Sequence, residues 1–319
     1  MSAVQKIMPE EGKKYRLITR SDMDGLVCAV LLRKYGIVEE IKFVHPKDMQ
    51  DGLIEVNEND ISTNVPYVEG IYICFDHHDS EATRVGKRYN HVMDADAKSA
   101  ARVVYDYFGG KDAFPDIQDE MMEAVDKADA AGFTRQDIID PHGWELLSFL
   151  MDSRTGLGRF RDFNISNYEL MMKLIDVCEE TQNIDDILNL PDVYERVEIF
   201  REHQQQFREQ IERCSVVHKN VVVLDLRNEE TIWAGNRFMI YALFPQCNVS
   251  IHVIWGRNKQ NTVLATGKSI LNKTSKTHIG DLMLEYGGGG HTAAGTCQVN
   301  NLKADEILEE VIEKIQQTS

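Results

Sequence analysis

The chain has 319 residues, and its 52 aspartates and glutamates outnumber its 35 lysines and arginines, for a net charge of −17. This acidic balance argues against a protein that grips duplex DNA, because phosphate binding needs a basic surface. Hydrophobic residues make up 43% of the chain, as in ordinary globular proteins, which excludes global disorder. No apolar stretch is long enough for a membrane span, so we expect a cytoplasmic protein without membrane contact.

The six cysteines are scattered along the chain, with no Cys-X-X-Cys pair among them. This spacing excludes a zinc ribbon and a disulfide scaffold. Most of the cysteines have apolar neighbours, as Cys74 has in Ile73 and Phe75. We therefore expect buried, reduced thiols.

The first half of the chain alternates apolar runs with helical patterns. Strands are predicted at 15–19, 41–44 and 70–75. Helices are predicted at 25–35, 97–108, 116–128, 143–151 and 166–180. Such alternation predicts an α/β domain with a mainly parallel sheet.

A long polar helix is predicted next, followed by a second patterned region. Strands of that region are predicted at 215–226, 249–255, 262–266 and 296–300, and helices at 278–285 and 303–317. We therefore predict three parts: an α/β domain over 1–190, a connecting helix over 191–214, and a smaller α/β domain over 215–319.

Two carboxylates, Asp22 and Asp24, lie at the predicted turn from the first strand into the first helix. In open α/β sheets, ligands bind at the carboxyl edge of the strands, where this turn lies. The alternative is that one of the two aspartates caps the helix, a common role for this residue. Asp22 and Asp24 on their own leave both interpretations open.

Four polar residues, Asp76, His77, His78 and Asp79, directly follow the apolar strand that ends at Phe75. A turn would more usually be built from Gly, Asn, Pro or Ser. Imidazole and carboxylate groups are ligands of transition metals. The run therefore predicts a metal or proton-transfer site.

Four glycines precede His291 and the run Thr292–Gly295. Glycines let a backbone approach a ligand closely, and successive amides can form a cradle for an anion. A flexible linker is the alternative. The apolar helix before the glycines and the ordered run after them favour phosphate binding, with His291 as a donor.

Together these motifs resemble the DHH phosphoesterase superfamily. Asp22-Met23-Asp24-Gly25 is similar to its first motif, Asp76-His77-His78 to the motif that names it, and Gly287–Gly290 with His291 to the signature of its associated C-terminal domain. The resemblance implies an N-terminal parallel-sheet domain and a C-terminal α/β domain with a cleft between them. It also implies two Mn²⁺ ions, with Mg²⁺ or Co²⁺ as substitutes.

The resemblance further implies roles for individual residues. The implied metal ligands are Asp22, Asp24, Asp60, His77 and Asp129, with Asp126 as the alternative to Asp129 and with Asp48 and Asp51 as rivals of Asp60. Asp76 would orient a histidine, so that Asp76, His77 and His78 form the catalytic group. The implied substrate-binding residues are Gly288, Gly289, Gly290 and His291.

Two departures from the family pattern suggest further contacts. No histidine shortly precedes Asp22, so Arg20 is a candidate to contact phosphate in its place. A lysine, Lys268, occupies the place of an arginine in the C-terminal domain. A lysine offers a point charge where an arginine offers a planar fork, so substrate specificity can differ.

The function implied is two-metal hydrolysis of a small phosphorylated substrate, such as a short oligoribonucleotide, pApA or a cyclic dinucleotide. One alternative is a polyphosphatase or pyrophosphatase, which would act on an anhydride. Another is a nucleotide sensor without catalysis. A homodimer is left open.

Overall fold

The computed structural model describes residues 6–78, 81 and 84–318; Asp79 lies outside these residues. The chain divides into two compact units. One comprises residues 1–132, 142–152 and 162–197, and the other comprises 133–141, 153–161 and 198–319. Both units are mixed α/β structures, as the sequence predicts.

The first unit contains five strands and most of the helices. Its strands are β1 (Tyr15–Thr19), β2 (Val38–Phe43), β3 (Asp60–Thr63), β4 (Ile73–Asp76) and β5 (His91–Met93). Its helices are α1 (Met23–Lys34), α2 (Pro46–Gln50), α3 (Ala100–Phe108), α4 (Asp119–Asp129), α6 (Gly143–Met151), α7 (Asn167–Glu180) and α8 (Ile184–Leu188). Helix α5 (Arg135–Ile139) belongs to the second unit.

The five strands form one parallel sheet in the order β2-β1-β3-β4-β5. Helix α1 packs against α3, α4 and α7, and its residues from Leu26 to Leu32 are fully buried. Burial on all sides explains why the sequence of α1 is almost continuously apolar. Because the strands are parallel, their carboxyl ends meet at one edge, which places the residues after β1, β3 and β4 together.

The long helix α9 (Pro191–Cys214) contributes its first residues to the first unit and the rest to the second. The other elements of the second unit are β6 (Ser215–His218), β7 (Val221–Asp225), α10 (Met239–Leu243), β8 (Val249–Trp255), β9 (Thr262–Lys268), α11 (Ile279–Leu284), β10 (Gly289–Gly290), β11 (Ala294–Val299) and α12 (Ala304–Thr318). Short 3-10 turns lie at Gly110–Asp112, Ser153–Thr155, Leu157–Arg159, Arg257–Lys259 and Asn301–Lys303.

The second sheet has six strands in the order β10-β11-β9-β8-β7-β6. Its strands are antiparallel except for the parallel pair β7 and β8. One prediction needs correction here. The single strand expected at 215–226 is a hairpin that turns at Lys219, where φ is 57°. The glycine run contains an edge strand, because Gly289 and Gly290 pair with β11, which argues against the alternative of a flexible linker. Within the described residues, no helix is long and apolar enough to cross a membrane.

Candidate active site

The turn from β1 into α1 places the first two carboxylates. Asp22 is the N-cap of α1 and accepts a hydrogen bond from the Gly25 amide at 3.0 Å. The guanidinium of Arg20 lies 3.1 Å from the other oxygen of Asp22. Asp22 is therefore the helix cap, but about a quarter of its side chain stays exposed, so capping leaves it available to a ligand.

Gly25 lets helix α1 start directly against the end of β1. A Cβ atom at this position would lie 1.9 Å from the carbonyl oxygen of Arg20. No side chain fits in that space, so only glycine permits this turn. The requirement for Gly25 is therefore steric, and this glycine fixes where Asp22 and Asp24 lie.

Asp24 lies in the first turn of α1 and is buried. Its two oxygens accept hydrogen bonds from the amides of Ala100 (3.0 Å) and Ala101 (2.8 Å), at the start of α3. Burial raises the pKa of Asp24 well above its usual range, and the nearby charges of Asp129 and Asp22 raise it further. A cation bound beside these carboxylates would offset their repulsion.

Asp76 is the last residue of β4, and it organises the two histidines that follow. One of its oxygens accepts hydrogen bonds from the His77 amide (2.8 Å) and the His78 amide (3.1 Å), and it lies 2.8 Å from His78 Nδ1. Burial tends to raise the pKa of Asp76, but its interactions with His78 and with the nearby ring of His91 outweigh burial and hold the pKa below the ordinary value. Asp76 thus stays ionised, which supports its predicted role of orienting a histidine.

The ligand atoms of Asp24, His77 and Asp129 all lie within 4.8 Å of one another. His77 Nδ1 is 3.3 Å from the carbonyl oxygen of Ala97, which leaves Nε2 to face the carboxylates. Nε2 lies 2.7 Å from Asp129 Oδ2, which is within ion-pair distance when the imidazole is protonated. Three ligand atoms this close together, two of them from carboxylates, fit a shared cation, and the imidazole–carboxylate donor set suits a divalent metal.

The charge around His77 is also that of a cation site. Burial lowers the pKa of His77, but the carboxylates of Asp129, Asp24 and Asp76 outweigh this and raise it to about 9. The protein therefore surrounds this imidazole with negative charge that either a proton or a metal ion can neutralise.

The structure distinguishes the two aspartates on α4. Asp126 accepts hydrogen bonds from Ser99 Oγ at 2.7 Å and from the Arg102 guanidinium at 2.7 Å and 3.0 Å. Asp129 is the aspartate that joins Asp24 and His77. The geometry thus favours Asp129 as a ligand, and Asp126 is engaged elsewhere.

Asp60 does not lie at this site, which corrects its prediction as a metal ligand. Asp60 is the first residue of β3 and pairs in register with Arg16, so it lies at the amino edge of the sheet. Its oxygens accept hydrogen bonds from the Arg16 guanidinium at 2.7 Å and 2.9 Å. The other three residues of β3 separate it from the carboxyl edge, a distance of roughly 10 Å. Its rivals Asp48 and Asp51 are also absent from the ligand cluster.

Asn64, which the sequence analysis missed, follows β3 at the carboxyl edge. Its backbone has a positive φ of 54°, an unusual conformation that asparagine tolerates better than most residues. The side chain is 1% exposed, and neither atom of its amide has a partner among the described residues. An unsatisfied polar group in a rare backbone conformation beside Asp76 is a signature of a functional position. The sequence signal was weak, because Asn is common in turns.

The glycines of the second unit serve mostly to pack backbone against backbone. A Cβ atom on Gly288 would lie 2.1 Å from the carbonyl oxygen of Thr296, and one on Gly290 would lie 2.2 Å from that of Ala294. Gly289 differs, because a Cβ atom there would meet nothing within 4 Å. Packing therefore explains Gly288 and Gly290 and leaves open space at Gly289, where a ligand can approach.

His291 lies in the turn between β10 and β11, and Lys268, the last residue of β9, bonds to the same turn. The His291 amide donates to the Ala294 carbonyl at 2.7 Å, which closes a tight turn, and the Lys268 amide donates to the Ala293 carbonyl at 2.8 Å. His278 also approaches this turn, with its Nε2 atom 3.0 Å from Thr292 Oγ1. The backbones of two predicted substrate-binding residues thus bond to one turn, which His278, a residue that the sequence did not single out, also contacts.

A search of solved structures finds a pGpG-specific phosphodiesterase, PggH from Vibrio cholerae, with 56% identity and a TM-score of 0.86. The match covers 96% of this chain and 100% of that chain. RecJ from Thermus thermophilus in complex with Mn²⁺ is 13% identical, with a TM-score of 0.52 over 97% of this chain and 53% of that chain. CDC45 from Entamoeba histolytica is 9% identical, with a TM-score of 0.50 over 95% of each chain.

The two α/β units and the ligand cluster fit a metal-dependent hydrolase, and the 56% identity over 96% of the chain identifies its family. The chain belongs to the DHH phosphoesterase superfamily and is a hydrolase. The RecJ and CDC45 similarities, at low identity, concern the fold alone. No protein-family model and no curated protein sequence matches the chain.

Proposed function

We propose that this chain is a phosphodiesterase that hydrolyses pGpG, a linear dinucleotide, to two molecules of GMP. The observation that carries the proposal is the 56% identity to a pGpG-specific phosphodiesterase over nearly the full length of both chains. In the reaction, water adds to the bridging phosphorus, and the bond from phosphorus to the 3′ oxygen breaks. The 3′ oxygen takes the proton, which leaves one GMP from each half of the substrate.

The proposal includes a divalent metal centre with two ions, Mn²⁺ preferred and Mg²⁺ or Co²⁺ as substitutes. With Asp60 at the opposite edge of the sheet, the residues available to hold the ions are Asp22, Asp24, His77 and Asp129. When bound, such ions lower the pKa of water and offset the charge that develops on the phosphate. The cluster of three ligand atoms supports at least one of the two positions.

The remaining side chains of the first unit act on the substrate. Asp76 holds His78 at Nδ1, and His78 is 40% exposed, so its Nε2 atom is free to contact the phosphate or the leaving oxygen. Arg20 is one-third exposed and can contact a phosphate oxygen from its position beside Asp22.

We assign the rest of the substrate to the second unit. The open space at Gly289, between Gly288 and Gly290, supports close approach of a phosphate or a ribose to the backbone. His291 and Lys268, whose backbones bond to the turn before β11, would supply the donor and the positive charge. A base contact would come from other residues of this unit.

The test is to incubate the purified chain and Mn²⁺ with pGpG, pApA, cyclic di-GMP, short RNA, pyrophosphate and polyphosphate in parallel. Products are separated by chromatography. We expect GMP release from pGpG to exceed phosphodiester cleavage of the other nucleotides by at least about tenfold in kcat/KM. Faster phosphate release from pyrophosphate or polyphosphate would replace the proposal with the anhydride alternative. No turnover with tight pGpG binding would indicate a sensor.

A cytoplasmic location is part of the same proposal, and a homodimer remains an alternative to a monomer. Five of the six cysteines are buried, and all six are free, which suits a reducing compartment. Light scattering during gel filtration measures the oligomeric state.

A further inference from the structure

Two buried polar atoms face each other beneath the Asp76-His77-His78 run. One is the second carboxylate oxygen of Asp76, and the other is His91 Nε2, which is 3.8 Å away. The Asp76 side chain is 1% exposed and the His91 side chain 2% exposed. Neither atom has a hydrogen-bond partner among the described residues. His91 belongs neither to the ligand cluster nor to the proposed substrate contacts.

Neighbouring side chains hold the ring of His91 in this position. His91 begins β5 and pairs in register with Cys74 of β4, two residues before Asp76. Its ring packs on that of Tyr67, with centroids 5.3 Å apart. The Tyr67 hydroxyl donates in turn to Asn90 at 3.1 Å. With so little exposure, the imidazole has no route to solvent for its hydrogen bond.

A hydrogen bond between His91 and Asp76 would therefore satisfy both of these buried polar atoms. Buried polar groups are almost always paired, and a shift of about 1 Å brings these two atoms within bonding distance. The other oxygen of Asp76 already accepts bonds from the His77 amide and from His78. The carboxylate would then be held on both sides, by His91 on one oxygen and by the His77–His78 segment on the other.

We propose that His91 is a positioning residue for the hydrolytic reaction. It donates from Nε2 to Asp76 and fixes the direction of that carboxylate. Asp76 in turn keeps the proton of His78 on Nδ1 and leaves Nε2 facing the substrate. This inference rests on the proposed contact between His78 and the phosphate, because His91 acts only through Asp76 and His78.

The test compares His91→Leu, which keeps bulk against Tyr67 but removes the donor, with His91→Gln, which keeps an N–H donor. Removing a partner that orients a site residue typically lowers metal affinity or activity tenfold to a hundredfold. We expect His91→Leu to lower kcat at least tenfold with KM nearly unchanged, and His91→Gln to recover most of that loss. The exposed strand histidine His218, changed to Leu, is the matched control and should keep wild-type kinetics.

A spectroscopic measurement separates positioning from folding. Nitrogen-15 shifts of labelled histidine report which ring nitrogen of His78 carries the proton, and His78→Gln assigns the signal. We expect His91→Leu to mix the tautomers of His78 at unchanged circular dichroism. Unchanged His78 shifts, or equal losses of kcat in the Leu and Gln variants, would overturn the inference.

The double variant His91→Leu/His78→Gln keeps the two proposals distinguishable. If both are right, His91→Leu has little further effect once His78 is gone. If His78→Gln keeps full activity on pGpG, the proposed use of His78 fails. If the chain hydrolyses bis(p-nitrophenyl) phosphate but not pGpG, only the proposed substrate is rejected. The His91 variants are then compared on bis(p-nitrophenyl) phosphate.

Discussion

The carboxylate of Asp24 serves the fold and the site at once. Its oxygens bind the first amides of α3, while Asp22 and Asp129 add like charge around it. In the metal-free chain this repulsion opposes folding, and a bound cation relieves it. The amides of α3 fix the direction of the Asp24 carboxylate, which is what precise ligand geometry requires.

The two aspartates of α4 allow a matched test of the ligand set. Asp129→Asn should weaken Mn²⁺ binding at least about tenfold, because it removes one of the three clustered ligands. Asp126→Asn should leave the affinity nearly unchanged, because Asp126 binds Ser99 and Arg102 instead. Isothermal titration calorimetry measures both. Equal losses of affinity in the two variants would contradict the assignment.

Asp60→Asn should affect stability and not metal binding. The substitution leaves the guanidinium of Arg16, which is three-quarters buried, without its charged partner. We expect a loss of about 1–3 kcal/mol in the free energy of unfolding, measured with urea. Mn²⁺ affinity should match that of the wild type. A loss of metal binding in a folded Asp60→Asn protein would restore Asp60 to the ligand set.

The mistake about Asp60 has a physical origin. The run Asp60-Ile61-Ser62-Thr63 shows no apolar alternation, so the sequence did not indicate that it is a strand. Ser62 and Thr63 are nevertheless fully buried, and Thr63 is satisfied by a hydrogen bond to Thr19 of the neighbouring strand at 2.8 Å. Partners this far apart in sequence cannot be read from local pattern. Motifs that follow strongly apolar strands, such as Asp76-His77-His78, were placed correctly.

Among the elements, the β1–α1 turn depends most on a single small residue. Gly25→Ala forces a Cβ atom toward the Arg20 carbonyl, 1.9 Å away, and the backbone must shift. We expect a loss of about 3 kcal/mol in unfolding free energy, as in overpacked cores. Mn²⁺ affinity should fall as well, because Asp22 and Asp24 flank this glycine.

Gly158→Ala is the control for this substitution. A Cβ atom at Gly158 meets nothing within 4 Å, so stability should change by less than about 0.5 kcal/mol. Thermal unfolding and calorimetry measure both variants. A Gly25→Ala protein as stable as the Gly158→Ala protein would refute the steric explanation.

Elements with a strong local pattern in the sequence were predictable, whereas elements that depend on tertiary contacts were not. Helix α1 was indicated by its apolar residues because it is buried on all sides. The hairpin of β6 and β7 was hidden, because its turn uses Lys219 and Asn220 in place of a glycine. Strand β10 was hidden for the opposite reason. Its glycines resemble a linker, and only the pairing with β11 makes them a strand.

Across the whole molecule, stability in acid should depend on a histidine of the second unit. Burial, together with the charge of Arg237, lowers the pKa of His252 to about 4. Between pH 6.5 and 4 the unfolded chain therefore binds a proton that the folded chain does not, so stability falls as the pH falls. At pH 5 this amounts to about 2 kcal/mol.

His252→Gln removes this titration and provides the test. Urea unfolding at pH 7 and pH 5 should show a smaller loss in the variant, by about 2 kcal/mol, than in the wild type. The quantity compared is the change in unfolding free energy between the two pH values, because the substitution also changes packing at both. Identical losses in the two proteins would show that His252 does not control acid stability.

The net charge of −17 predicts how the whole molecule selects the length of its substrate. Repulsion from an acidic surface grows with each added phosphate, and the attraction we propose is local, from the metal centre, Lys268 and Arg20. For a single strand, the logarithm of the affinity falls by about 0.7 per neutralised phosphate for each unit of the logarithm of salt concentration. Contact with one to three phosphates therefore gives a shallow slope.

We therefore expect two-nucleotide substrates to be cleaved faster than five- or twenty-nucleotide strands, with weak salt inhibition throughout. Cleavage rates for the three lengths, measured across a salt titration with Mn²⁺ held constant, decide the matter. Faster cleavage of the twenty-mer with steep salt inhibition would contradict this prediction. It would mean that arginines far apart in the sequence form one basic surface that binds a long strand.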